Sequence, residues 1–270
     1  MPLMDHIREL RGRLIKALLG IAVGTGIGWY FFKPIWIFLQ GPYCRIRIDG
    51  KTQCHGGFGH MLVVNGVFDA FFLHLKIAFI VALVISSPVW LYQLWAFIAP
   101  GLYAREKRWT WAFIGCAVPL FALGAVFAYL AMGKAMGFFV SMIPPGVAST
   151  FTVDTYLSYA LAMLLVFGLA FELPLVMVIL NLAGVLTHQR FRKWRRLMIF
   201  AVFVFAAIAT PSPDPFSMLL LAVPCVVLIE AAEVFAWAND RRRARRPDPY
   251  EGLDPDEVSP LPLDDSVKPG

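Results

Sequence analysis

Two acidic residues stand among basic residues, each next to a long apolar stretch. Glu9 lies in His-Ile-Arg-Glu-Leu-Arg-Gly-Arg-Leu, and Glu106 lies in Pro-Gly-Leu-Tyr-Ala-Arg-Glu-Lys-Arg. Two carboxylates at such a surface could accept bidentate hydrogen bonds from planar guanidinium groups. The alternative is structural, because Glu9 can pair with Arg13 four residues later and Glu106 can be an ordinary solvated charge. Spacing alone leaves both interpretations open.

A third acid, Glu172, lies inside an apolar run that reads Phe-Gly-Leu-Ala-Phe-Glu-Leu-Pro-Leu. A charged carboxylate facing lipid is costly, so we expect this group to be protonated, paired or turned toward a polar cavity. We therefore predict that Glu172, together with Glu230 in the last apolar stretch, is an intramembrane polar or partner contact. The structural alternative for Glu172 is a neutral acid bonded to a neighbouring helix, beside a kink at Pro174. For Glu230 it is a side chain that extends to the membrane surface.

The chain carries no recognisable catalytic or metal-binding constellation. A phosphate-binding G-x-x-x-x-G-K-[ST] loop and an H-E-x-x-H zinc motif are both absent from the sequence. The five histidines are scattered without a common helical face. We therefore predict a protein that is not an enzyme and that needs no cofactor, metal or nucleic-acid partner.

The composition predicts that these acids are positioned by membrane helices. Hydrophobic residues make up 59% of the 270 residues, charged residues only 16%, and the mean hydropathy is +0.68. Long runs such as Ile77–Tyr103 and Trp109–Gly133 contain no charge at all. Each exceeds the roughly 20 residues that a helix needs to cross a bilayer. The alternation typical of barrel strands is missing, so the fold class is an all-α, polytopic membrane protein.

Six spans account for the hydrophobic pattern and for the placement of basic residues. They are predicted at Leu14–Leu39, Phe71–Ala99, Trp109–Met132, Tyr156–Leu182, Leu197–Ala209 and Phe216–Trp237. Basic clusters then fall on one side, which the positive-inside rule makes cytoplasmic. Both termini are thus expected in the cytoplasm. Residues 1–240 form the predicted membrane domain, and residues 241–270 form a basic, then Pro- and Asp-rich, disordered tail.

The fifth predicted span is too short to cross a bilayer by itself. Its thirteen residues, Leu197–Ala209, extend about 20 Å as a helix. A Thr-Pro-Ser-Pro-Asp-Pro turn ends it, and Asp214 in that turn is expected to cap the helix beginning near Phe216. Either the bilayer thins here or the turn lies below the surface in a cavity.

Two cysteines, Cys44 and Cys54, fall in the first outward loop. That compartment permits disulfides, so we predict a Cys44–Cys54 bridge. The alternatives are two free thiols, or a metal site completed by His55 and His60.

Few ionisable residues lie within the spans, so this chain alone is a poor candidate for an aqueous pore. The two halves also lack the paired broken helices that many secondary transporters share. A receptor or scaffold that works with partner helices is favoured.

Several motifs, in order along the chain, resemble the twin-arginine protein translocase C family (TatC). The segment His6–Leu14 resembles the family's H-L-x-E-L-R-x-R-L motif. Ser86-Ser87-Pro88-Val89 with Tyr92–Tyr103 and Glu106-Lys107-Arg108 resembles its signature block. Further resemblances are Phe171-Glu172-Leu173-Pro174, Thr210-Pro211-Ser212 with Asp214, and Ala222-Val223-Pro224 with Glu230.

The resemblance implies a concave, glove-shaped bundle whose last two helices are short. It implies a core receptor in the bacterial cytoplasmic membrane that binds twin-arginine signal peptides of folded precursors. Glu9 and Glu106 would hold the paired arginines, with Arg11 and Phe97 at the same site, and Glu172 would face the concave side. The implied partners are TatA- and TatB-type single-span proteins, further copies of the chain and the lipid bilayer. Export would use the proton motive force.

Two rival functions remain at the level of sequence. One is a proton-coupled secondary transporter of small solutes with Glu172 as proton carrier. The other is a membrane scaffold, which would tolerate loss of Glu9 or Glu106.

Overall fold

The computed structural model describes residues 2–44, 47–48, 51–52, 62–64, 66–98, 107–144, 152–211 and 214–244. Helices make up almost all of these residues. They are α1 (Pro2–Tyr30), α2 (Phe32–Leu39), α3 (Gly41–Cys44), α4 (Asp69–Ile85), α5 (Ser87–Ile98), α6 (Lys107–Ser141), α7 (Val153–Leu182), α8 (His188–Ala209) and α9 (Pro215–Ala244). Two short strands, β1 (Arg47–Ile48) and β2 (Lys51–Thr52), pair antiparallel. The predicted all-α class is confirmed.

The first predicted span is not one straight helix. It breaks at Phe31, and α2 is bent by 87° from α1. Pro34 explains the position of the break, because its ring would clash with the carbonyl of Tyr30 and it has no N–H to donate to it. The chain therefore turns sharply where a hydropathy plot shows a continuous apolar stretch.

The second predicted span is also broken, between α4 and α5, with a bend of 61°. Pro88 cannot donate to the carbonyl of Val84, so the α4 ladder ends there. Side chains satisfy the neighbouring carbonyls. Ser86 Oγ donates to the oxygen of Ala82 at 2.6 Å, and Trp90 Nε1 donates to the oxygen of Leu83 at 2.9 Å.

The described helices include three that are individually long and apolar enough to cross a membrane. They are Phe113–Ser141, Val153–Leu182 and Pro215–Arg243, and the number rises to five if each bent pair is one span. The α8 helix does not meet the same criterion, since its first residues are strongly basic. The predicted count of six spans stays a prediction.

Helix length and apolar length differ at the end of the chain. The α8 helix has 22 residues although its apolar part is Leu197–Ala209, and α9 has 30 residues, as many as α7. The expectation of a short sixth helix is therefore wrong for the helix itself. It continues to Ala244, past the predicted domain boundary at residue 240, because Arg241–Arg243 suit the negative end of the helix dipole.

Glycines let α1 approach α4 closely. A Cβ at Gly28 would lie 2.7 Å from the carbonyl oxygen of Ala78, and one at Gly24 would lie 3.0 Å from the Cα of Ala82. Gly124 makes the same kind of approach between α6 and α7, 2.7 Å from the oxygen of Phe167. Small residues four apart are typical of packed membrane helices.

Buried side chains form three clusters that together connect α2 to α9. The largest contains Phe167 and Phe171 and joins α6 to α9. The second contains Tyr156 and joins α2, α3, α4, α6 and α7. The third surrounds Trp95 between α5, α6 and α7. Helix α7 contributes to all three and is thus the centre of the bundle.

Polar contacts fix the ends of the helices. Lys76 Nζ on α4 lies 2.5 Å from Asp154 Oδ1 at the start of α7. Asp214 Oδ1 accepts a 2.7 Å hydrogen bond from the backbone N–H of Ser217, so the predicted cap of the last helix is confirmed.

Candidate functional site

A polar cavity of about 390 Å³ lies between the N-terminal part of α1 and the middle of α5. It is lined by Glu9, Gly12, Arg13, Lys16, Tyr92 and Gln93. On α1 the lining residues are three or four apart, so they share one face of the helix. Glu9 is the only acid among them. The predicted binding residue is thus placed in a cavity that a small polar group can enter.

Glu9 is paired in this structure. Its Oε1 atom accepts hydrogen bonds from Arg13 Nε at 2.9 Å and from Arg13 Nη2 at 2.6 Å. The Glu9 side chain is 41% exposed and that of Arg13 only 25%. This is the i,i+4 pair that the structural alternative describes. In the described part of the chain nothing else bonds the Glu9 carboxylate.

The charges around the cavity do not balance. Glu9 contributes one negative charge, whereas Arg13 and Lys16 contribute two positive charges, which leaves the lining at +1. A cationic ligand is repelled by such a lining unless a second carboxylate joins it. A complete site for a cation therefore needs an acid from outside this set.

An apolar groove of about 290 Å³ continues from the polar cavity. Arg13 and Gln93 line both, and the remaining groove wall is apolar. Helix α1 contributes Leu10, Leu14, Ala17, Leu18 and Ile21; α5 contributes Trp90, Leu94 and Phe97; Leu83, Leu165 and Leu169 complete it. The arrangement can hold a polar group at one end and an extended apolar segment along its length.

The bend at Pro88 positions the α5 wall of this groove. Trp90, Gln93, Leu94 and Phe97 repeat at intervals of three, four and seven residues, so they form one stripe of the helix. Because α5 is turned by 61° from α4, that stripe faces α1 instead of continuing along the α4 axis.

The remaining predicted residues of this site are distributed unevenly. Phe97 lines the groove, as expected of a residue that contacts a ligand. Arg11 is exposed and lines neither cavity, because two residues along a helix from Glu9 is about 200° around it. Glu106 lies outside the described residues, so its approach to Glu9 stays a prediction.

Glu172 is buried in the bundle, at 4% exposure. Its Oε2 atom accepts a hydrogen bond from Trp95 Nε1 at 3.3 Å, and its Oε1 atom is buried without a partner among the described residues. This matches the structural alternative, an acid bonded to a neighbouring helix. A direct partner contact would require the carboxyl group to become accessible.

Glu230 is an ion-pair partner across two helices. Its carboxylate lies 2.7 Å from Arg195 Nη2 of α8, and Glu233 Oε2 lies 3.9 Å from Arg195 Nε. The predicted contact with a partner protein is untested. The alternative from the sequence was a Glu230 side chain that extends to the membrane surface, and it did not include this ion pair with Arg195.

A polar network that the sequence analysis missed joins the ends of α7, α8 and α9. Asp240 accepts from the backbone N–H of His188 at 2.7 Å and from Asn181 Nδ2 at 3.0 Å. Asn181 Nδ2 also donates to the oxygen of Leu186, and its Oδ1 accepts from Asn239 Nδ2 at 2.9 Å. A buried Asn near a helix end was the available signal, because such an amide needs partners.

The cysteines fall into two classes. Cys44 is disulfide-bonded, whereas Cys116 and Cys225 are free. Cys54, the predicted partner of Cys44, lies outside the described residues, as do His55 and His60. Among the described residues no group of three His, Cys, Asp or Glu side chains could hold a metal ion.

Comparison with known proteins identifies the family. A model of the Sec-independent protein translocase protein (TatC) matches residues 5–224. The chain belongs to the TatC family. TatC of Frankia casuarinae is 49% identical over 98% of this chain and 74% of its own length. TatC of Escherichia coli K12 is 34% identical over 87% of this chain and 88% of its own.

Solved TatC structures share the fold. A crystal structure of the twin arginine translocase receptor TatC in DDM matches with a TM-score of 0.68 and 33% identity, over 86% of this chain and 99% of that one. The TatC resemblance is thus confirmed, and so is the predicted role as a core subunit of the twin-arginine protein translocase. Nothing in these comparisons supports a small-solute transporter. The chain is a multi-pass membrane protein of a protein-transport complex.

Proposed function

We propose that this TatC protein is the receptor that binds twin-arginine signal peptides before translocation. The observation that carries the proposal is the polar cavity at Glu9 that opens into an apolar groove. A ligand with paired arginines followed by an apolar segment is complementary to both parts. Its solved relatives are described as twin arginine translocase receptors.

Glu9 and Glu106 are the proposed acceptors of the two guanidinium groups. The cavity lining as described carries a net charge of +1, so Glu9 alone does not favour a dication. Addition of Glu106 brings the lining to neutrality, and displacement of Arg13 makes it attractive. Phe97 and Leu94 are proposed to contact the apolar segment. Arg11 is kept as a proposed contact from the opposite face of α1, outside the two cavities.

We propose that this end of the bundle lies in the cytoplasm of a bacterium, with both termini on that side of the cytoplasmic membrane. The support is the concentration of basic residues there. Arg192, Lys193 and Arg196 are exposed at the start of α8, and Arg241–Arg243 form the last turn of α9. Anionic lipid and the insertion machinery both favour such clusters on the cytoplasmic side.

Translocation itself is proposed to need TatA- and TatB-type single-span partners, further copies of this chain and the proton motive force. The described spans are predominantly apolar, so the chain does not form a water-filled path alone. Large apolar side chains such as Phe200, Val204 and Ile208 on α8 are exposed and can pack against a partner helix or lipid. Glu172 and Glu230 are retained as proposed partner contacts.

The test is photocrosslinking of a twin-arginine precursor to the detergent-solubilised complex. Glu9→Gln and Glu106→Gln should each weaken binding by about 1–3 kcal/mol, as expected for loss of a charge-assisted hydrogen bond. A twin-lysine precursor should crosslink less than the twin-arginine one. The matched control is Asp5→Asn, which removes one negative charge from the same helix one turn earlier.

Equal crosslinking of wild type and both glutamine variants would overturn the receptor assignment. A loss of equal size in Asp5→Asn would show that only general electrostatics is being measured. Crosslinks that persist with twin-lysine at full strength would exclude guanidinium recognition.

A further inference from the structure

Arg13 pairs with the Glu9 carboxylate in the same way that an arginine of a bound ligand would have to pair with it. Both the Nε and the Nη2 atoms of its guanidinium group donate to Oε1 of Glu9, at 2.9 and 2.6 Å. A bound peptide arginine needs the same carboxylate and the same kind of donors. Arg13 already uses both lone pairs of Oε1, and its positive charge repels a cation that approaches the remaining oxygen, Oε2, so a second cation engages the carboxylate fully only after Arg13 leaves.

Arg13 is more buried than a typical ion-pair partner on a protein surface. Its side chain is three-quarters buried, although Glu9 itself is 41% exposed. It lines both the polar cavity and the apolar groove, so it lies where the two join. A ligand that enters both parts must therefore pass the Arg13 side chain.

We propose that Arg13 is an internal competitor that occupies Glu9 until a ligand arginine displaces it; the inference rests on the proposed function. Binding is then an exchange, in which one guanidinium leaves Glu9 as another arrives. The number of charge-assisted hydrogen bonds at Glu9 stays the same. Gln93, which lines both cavities, offers an amide carbonyl to the displaced Arg13.

Such an exchange lowers the affinity for every cation that uses Glu9 by one common factor. The ratio between the affinities for arginine and lysine ligands is unchanged, because the Arg13–Glu9 pair stabilises the free receptor and is absent from both complexes. Release is faster than from an unoccupied carboxylate, since Arg13 is tethered next to Glu9 and can pair with it again. A translocase receptor that must hand over its ligand benefits from this.

The test measures binding of fluorescent twin-arginine and twin-lysine signal peptides to the purified complex in nanodiscs. Arg13→Gln should bind both peptides about two- to fivefold more tightly, the range expected for removal of a partly exposed ion pair. The dissociation rate should fall by a similar factor. Arg13→Lys keeps the charge but loses the planar fork, so a smaller tightening is expected.

Lys16→Gln is the matched control, because it removes one positive charge from the same cavity and leaves the Arg13–Glu9 pair intact. Equal tightening in Lys16→Gln and Arg13→Gln would overturn the proposal in favour of simple charge repulsion. Unchanged or weaker binding in Arg13→Gln would also overturn it, and weaker binding would make Arg13 part of the ligand site. A result in which Glu9→Gln has no effect on either peptide instead contradicts the proposed function, so the two failures can be distinguished.

Discussion

Trp95 and Glu172 lie 77 positions apart in the chain, yet the indole Nε1 of Trp95 donates to the Glu172 carboxyl group across 3.3 Å. Both side chains are almost completely buried, at 2% and 4% exposure. Among the described residues this is the one hydrogen bond recorded for the Glu172 carboxyl group. Helix α5 therefore supports the acid in the middle of α7.

Loss of this donor should destabilise the fold. We expect Trp95→Phe to lower the free energy of unfolding by about 1–3 kcal/mol, because the buried carboxyl group is left unsatisfied. Thermal unfolding in detergent measures this. The control is Trp194→Phe on α8, where the side chain is 56% exposed.

A second substitution should restore part of that loss. In Trp95→Phe/Glu172→Met the unsatisfied group is gone, so the double variant should be more stable than Trp95→Phe alone. If Trp95→Phe and Trp194→Phe unfold alike, the hydrogen bond contributes nothing measurable.

Neighbouring glycines of α1 should respond to alanine with opposite sign. Gly28→Ala places a Cβ 2.7 Å from the oxygen of Ala78, which forces α1 and α4 apart and should cost about 1–3 kcal/mol. At Gly26 nothing lies within 4 Å of the new Cβ, so Gly26→Ala should be neutral or stabilising by up to about 1 kcal/mol. Thermal unfolding of the two variants, measured in parallel, tests this prediction. Equal melting temperatures would mean that the α1–α4 separation is adjustable.

Asp240 should hold the turn between α7 and α8. Asp240→Ala removes the acceptor of the His188 N–H and of Asn181 Nδ2, so hydrogen exchange at residues 183–188 should accelerate by about tenfold, the equivalent of a hydrogen bond worth roughly 1.4 kcal/mol. Asp240→Asn keeps one carbonyl oxygen and should have a smaller effect. Exchange in Asp240→Ala that matches the wild type would show that the turn is held by packing.

Phe97 should contribute affinity but not arginine selectivity. On the proposed function its ring contacts the apolar segment of the ligand, so Phe97→Ala should weaken signal-peptide binding by about 1–3 kcal/mol. Twin-arginine and twin-lysine peptides should lose the same amount in a fluorescence binding titration. Leu130→Ala, at a side chain that is 51% exposed on α6 and lines neither cavity, is the control. A change in the arginine-to-lysine ratio would place Phe97 next to the guanidinium groups instead.

The disulfide of Cys44 should involve Cys54. Digestion without reduction followed by mass spectrometry should yield a Cys44–Cys54 peptide pair. Of the two free cysteines, the buried Cys225 should be modified by alkylating reagent only after unfolding. Reduction should destabilise the loop by up to about 3 kcal/mol, the chain-entropy estimate for a loop of this length. A Cys44 linked to any other thiol contradicts the prediction.

Much of the fold follows from local sequence signals. The Asp214 cap, the pairing of Glu9 with Arg13 and the helical class all depend on residues close together in the chain. Hydropathy did not predict the two helix breaks, because a hydropathy window sums apolar residues and is insensitive to a change in the direction of the chain. Pro34 and Pro88 nevertheless mark the positions of both breaks. The ends of α8 and α9 could not be predicted from the apolar stretches. A helix ends at a capping or helix-breaking residue, whereas an apolar stretch ends at the edge of the bilayer.

The candidate site was predictable in its residues but not in its geometry. Glu9 and Phe97 could be selected from motifs, yet the groove between them depends on the angle between α4 and α5. The partner of Glu172 could not be predicted, because no periodicity couples α5 to α7 across 77 positions. The hydrogen bonds of Asp240 could not be predicted for the same reason, because the residues involved come together only after three helices have packed.

The 87° bend between α1 and α2 restricts how a signal could travel from Glu9. Helix α2 is held by tyrosine hydroxyls, since Tyr129 donates to the oxygen of Phe38 at 3.0 Å and Tyr156 donates to the oxygen of Leu39 at 2.5 Å. If α1 moved along its own axis, α2 would move sideways against its neighbours and both hydrogen bonds would break. Rotation of α1 about its own axis would swing α2 through an arc and break the same bonds. Tilting of α1 about its junction with α2 is thus the rigid-body movement that keeps both bonds, and a signal from Glu9 to the far side of the membrane would use it.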